Sequence, residues 1–66
     1  MGNSIQLIEQ YIDQLESRRN NAIIVSRTNS NESVRQENAI YATALASVVN
    51  DLRNILENTK GEIING

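Results

Sequence analysis

Between Asn3 and Lys60 the chain contains neither proline nor glycine; its glycines are Gly2, Gly61 and Gly66. No residue in that stretch is an obligatory helix breaker, whereas strands and tight turns usually announce themselves with Gly, Pro or both. Sustained alternation of apolar and polar residues is missing, and only Ala22 to Val25 has a β-prone look. The chain is therefore expected to be all-α.

Two helical patterns emerge from the spacing of apolar residues. Ile5, Ile8, Ile12 and Leu15 recur at intervals of three and four and lie on one stripe, which Leu7 and Tyr11 widen on one side. Asn3 or Ser4 is placed to cap the first-turn amides. Glu9 and Asp13 lie towards the positive end of the helix dipole. The stripe then lapses: Glu16 to Asn21 carries no apolar side chain, and Arg19 falls where the next core residue belongs. With no breaker present, a continuous first helix over about 4–27 is expected. Ser26 to Ser33 is wholly polar and rich in side chains that compete for backbone hydrogen bonds, so the turn is placed at 28–32. Asn29 with Glu32, and Ser33 with Gln36, are two overlapping capping signals for a second helix.

That second helix, expected over about 33–59, carries the more regular pattern. Val34, Asn38, Tyr41, Leu45, Val48, Leu52 and Ile55 alternate steps of four and three, a heptad seam with Asn38 as its polar member. Val49 and Leu56 broaden that face beyond a two-stranded seam, and Ala39, Ala42 and Ala46 add a stripe of small residues. Lys60 in the last turn and Gly61 as a left-handed stop are read as its end, leaving 60–66 as a short tail in which Ile63 and Ile64 have no helical reason to be apolar.

Two helices of about 25 residues, each ~38 Å long, make an antiparallel hairpin as one domain spanning 1–66. A chain of 66 residues buries little core. Without Cys or His, disulfides and the common zinc and haem ligand sets are excluded, and Phe and Trp are absent too. Self-association into a homo-oligomeric helical bundle, a dimer or higher, is the expected source of the missing core. Asn38, Tyr41, Leu45, Val48, Leu52 and Ile55 are the expected oligomer interface, with Asn38 available to set register by pairing with its counterpart.

The absence of His and Cys also removes the common general base and the thiol nucleophile, and there is no Gly-rich phosphate loop or metal-ligand cluster. The chain is not expected to be an enzyme or to hold a metal or cofactor. Ser47 and Asp51 share the spacing of a second-helix motif in the small aspartyl-phosphate phosphatases of the sporulation phosphorelay, themselves short helical hairpins. Val48 and Val49 stand where that family has Gln and Glu, so the similarity stops at two of five residues and membership is not inferred.

Charge is uneven along the chain. Glu9, Asp13 and Glu16 make the first part acidic, Arg18, Arg19, Arg27 and Arg35 make the middle basic, and carboxylates prevail again after Arg35. Arginine is suited to bidentate recognition of carboxylate or phosphate. Arg18, Arg19, Arg27, Thr28, Ser30 and Arg35, with Tyr11 as a stacking face supplied by a neighbouring subunit, are the candidate site for a small anionic ligand such as a nucleotide. The bland alternative is that these arginines pair with Glu16, Glu32 and Glu37 on a solvated surface. A net charge of −2 and two tyrosines argue against a nucleic-acid polymer as partner. No apolar run is long enough for a bilayer and no secretory leader is apparent, so a cytoplasmic protein is expected. The leading expectation is a non-catalytic interaction protein that binds and blocks or bridges a partner protein, in the manner of small viral accessory proteins. Sequestration of a small anionic ligand is the alternative.

Overall fold

The computed structural model describes residues 3–65, and side chains from Ser4 to Gly61. It consists of two helices, α1 (Asn3–Thr28) and α2 (Glu32–Asn65), packed against each other as a hairpin. The long dimension, 52 Å, is close to the length of α2 itself, since 34 residues at ~1.5 Å each span ~51 Å. The antiparallel sense is visible in the cross-helix ion pairs: Glu16 meets Arg53, and nearer the free ends Glu9 meets Lys60 at 3.4 Å.

α1 runs unbroken through Arg18–Asn21, as a stretch without helix breakers allows. Ser4 lies inside α1 rather than capping it, and the side chain of Asn3 is outside the described residues. The connection is only Asn29–Asn31, and hydrogen bonds of Asn29 hold it. The Asn29 Oδ1 accepts the Asn31 N–H at 2.8 Å, the Asn29 N–H donates to the Val25 carbonyl, and Arg35 Nη1 donates to the Asn29 carbonyl at 2.8 Å. The cap of α2 is Asn31, not Asn29 or Ser33. Its Oδ1 accepts the Val34 N–H at 3.3 Å and its carbonyl accepts the first helical bond, from Arg35. Asn29 is consumed by the turn, and Ser33 falls within the first helical turn.

The far end of α2 departs from the sequence expectation. The helix does not stop near Thr59 but continues through Gly61 to Asn65, and Gly61 has no positive φ. Glycine permits a left-handed stop without enforcing one. The backbone at Ile63 and Ile64 is thus part of α2 rather than of a short tail after it; their side chains lie outside the described residues.

The core is a single line of contact. Ile12, Leu15, Leu45, Val49 and Leu56 are buried together, with Ile5, Ile8 and Leu52 packed against them, and Ala22 and Ala42 are buried nearer the turn. The inner seam of α2 is thus Asn38, Ala42, Leu45, Val49, Leu52 and Leu56. It shares Asn38, Leu45 and Leu52 with the seam expected from sequence but has Ala42, Val49 and Leu56 in place of Tyr41, Val48 and Ile55. The latter three stay exposed.

Candidate functional site

The two flanks of the hairpin differ, and residue numbering alone locates them. On one flank lie the residues that follow a core position. They are Glu9, Glu16 and Ile23 on α1, seven apart, and Ala39, Ala46, Arg53 and Lys60 on α2, also seven apart. Glu16 joins Arg53 across the helices and Arg19 at 3.7 Å along its own, while Glu9 joins Lys60. These pairs are partly exposed and each adds at most about 1 kcal/mol, but together they occupy the flank.

On the opposite flank lie the residues that precede a core position. Leu7 and Tyr11 come before Ile8 and Ile12, and Tyr41, Val48 and Ile55 come before Ala42, Val49 and Leu56. All five are between 45% and 63% exposed. Arg18, which precedes the half-buried Arg19, is on this flank as well. No ion pair among the described residues crosses it. One side of the molecule is closed by charge, and the other is an open strip of large apolar side chains interrupted by Arg18.

The structure separates the expected anion-binding residues more than it gathers them. Arg19 and Arg27 share a solvent-open notch of about 300 Å³ on the ion-pair flank, walled also by Ile23, Ser26 and Thr43 and floored by Ala39, Ala42 and Ala46. Arg18 is on the opposite flank. Arg35 is engaged with the turn backbone, the Thr28 hydroxyl donates to the Ile24 carbonyl at 2.7 Å, and Ser30 is exposed in the turn. Tyr11 lies about 24 Å along α1 from Arg27, sixteen residues at ~1.5 Å, so within one chain it cannot stack over the notch. Ile23, Ser26 and Thr43 were not anticipated; the spacing of Arg19, Ile23, Ser26 and Arg27 at four, three and one is the signal that places them on one α1 face. The Arg19 Nε is buried without a hydrogen-bond partner among the described residues, a consequence of placing an arginine on the core stripe.

Of the expected interface residues, Leu45 is buried in the chain's own core and the partly buried Leu52 packs against it, so both are engaged within the hairpin. Asn38 is half-buried and its amide donates to the Val34 carbonyl at 2.9 Å within α2. Leu7, missing from that set, belongs with the three that remain available. Among the described residues no cluster of acidic side chains is placed to hold a metal ion, and no helix is long and apolar enough to cross a membrane.

Comparison adds no relative: no protein-family model, curated protein or solved structure matches the chain.

Proposed function

We propose that this chain is a non-catalytic interaction protein, a helical hairpin that works as a homo-oligomeric bundle and holds a partner protein so as to block or bridge it. The observation that carries this reading is the open strip of Leu7, Tyr11, Tyr41, Val48 and Ile55 on a hairpin whose buried core is one line of seven side chains. Full burial of a large apolar side chain is worth about 1.5–3 kcal/mol, so five half-exposed ones leave roughly 5 kcal/mol unrealised. That equals the lower end of the whole stability of a small domain. A further helical surface against the strip realises it.

Within such a bundle Ile24 and Ile40 still face outward. Ile40 is 71% exposed, and with Ala39, Thr43 and Ala44 it borders an apolar hollow of about 440 Å³ on the outer face of α2. This outer face is the surface offered to a partner. Light scattering tests the first half: a mass of at least twice 7.4 kDa is expected, and a folded monomer at micromolar concentration overturns it. Affinity capture tests the second. Wild type should retain a defined protein that Ile40→Glu loses while keeping the oligomer mass, and retention by both variants equally removes the outer face from the reading.

The notch supports a second reading, as a binder of a small anionic ligand. Its lining holds two guanidinium groups and no carboxylate. Thermal shift against nucleotides should then show stabilisation that grows with ligand concentration and disappears in Arg27→Glu; a flat response across the panel removes it.

A further inference from the structure

Resting on the reading of the chain as a self-associating bundle, we infer that the occupant of the open strip is a second copy of this chain. It is laid on with its turn at the opposite end, so that α2 runs antiparallel over the α2 of the other copy with Val48 at the twofold axis.

Three observations lead to this arrangement. The first is charge. Folding divides the chain into a turn half, residues 18–50, with Arg18, Arg19, Arg27 and Arg35 against Glu32 and Glu37, and an open half holding six carboxylates against Arg53 and Lys60. The hairpin is therefore basic at its turn and acidic at its free ends. Laying two copies turn to turn stacks like on like; inverting one sets each basic half over an acidic half. The interface carries no ion pair of its own on this flank, so the long-range field is what chooses the orientation.

The second is the spacing of the strip. Tyr41 and Ile55 lie seven residues on either side of Val48. A twofold axis through Val48 maps α2 onto an antiparallel α2, sets Val48 against itself and sets Tyr41 of each chain against Ile55 of the other. Every large apolar residue that α2 shows on this flank then meets another, which is the self-complementarity a twofold interface requires. The turn-to-turn arrangement places α1 of the other copy over α2, and Val48 meets no copy of itself.

The third is area. The broad face of the hairpin measures 52 by 17 Å, roughly 900 Å², comparable with the ~800 Å² per partner of a stable interface. Two hairpins stacked on it form an antiparallel four-helix bundle.

The chain has no cysteine, so single-cysteine variants read the arrangement directly. Val48→Cys is close to isosteric and replaces a side chain 45% exposed in the hairpin, leaving the intrachain core intact. On mild oxidation it should form an interchain disulfide in most molecules. Tyr41→Cys and Ile55→Cys should each remain unlinked alone and cross-link when the two variants are mixed. Helicity by circular dichroism confirms that each variant is folded. A dimer by light scattering in which Val48→Cys stays unlinked, or in which Arg18→Cys on the open flank links to Val48→Cys instead, overturns the inverted arrangement and leaves the bundle reading standing. A folded monomer overturns both.

Discussion

Asn31 shows how much of this hairpin depends on one side chain. Its Oδ1 accepts the Val34 amide, while its backbone N–H donates to Asn29 Oδ1, so Asn31→Ala removes the cap of α2 and leaves the turn's own hydrogen bond in place. Chemical denaturation at fixed protein concentration should show a loss of about 1 kcal/mol. Gly61 is the opposite case. It is helical, and a Cβ there would meet nothing within 4 Å, so Gly61→Ala should stabilise by about 0.5–1 kcal/mol. Destabilisation in the same measurement would mean that α2 ends at Gly61 in the left-handed conformation after all. Arg19 occupies a core-stripe position with its Nε buried and unpartnered among the described residues. Arg19→Leu should raise stability by about 1 kcal/mol by removing a desolvated donor. If it does, an arginine kept there at a cost in stability is a mark of function, and ligand response in the notch should fall in the same variant.

The two helices were visible in the sequence, because periodicity and the absence of breakers act locally. Which of two seams α2 turns inward was not. Leu45 and Leu52 belong to both, and the choice between Tyr41, Val48 and Ile55 on one side and Ala42, Val49 and Leu56 on the other depends on what α1 presents. Near the three-residue connection the buried residues are Ala22 and Ala42, and Tyr41 beside them stays 47% exposed. The distinction has a measurable consequence. Leu45→Ala should cost about 2–4 kcal/mol and melt the hairpin itself. Val48→Asp, on the open flank, should leave an isolated hairpin with its core contacts intact and shift mass rather than intrachain packing. Equal loss of helicity from both at matched concentration would mean that the hairpin has no stability apart from its assembly. The candidate anion site was the least legible element. Neighbouring arginines such as Arg18 and Arg19 diverge by about 100° around a helix, and a run of charge in sequence becomes two separate flanks in space.

At the scale of the molecule the hairpin is a rod with a basic turn and acidic free ends, closed on one flank by Glu16–Arg53 and Glu9–Lys60 and open on the other. If two such rods pair in inverted orientation, their attraction is partly long-range, and the dissociation constant should rise as ionic strength goes from about 0.01 M to 0.15 M, where the screening length falls from ~30 to ~8 Å. Sedimentation or light-scattering titration across that range checks it; tighter association at high salt would point to the turn-to-turn arrangement. The sequence by itself determined that the chain is helical, that it turns once near Asn29–Asn31, and that its apolar residues exceed what one helix pair can bury, since all three stem from local pattern and counting. The tertiary structure alone decided which residues are inside. It shut Leu45, Val49 and Leu56 in the core, left Tyr41, Val48 and Ile55 outside, and put Arg18 on a different flank from Arg19 and Arg27. Those assignments depend on the rotation of each helix about its axis, which is set only when one helix meets the other.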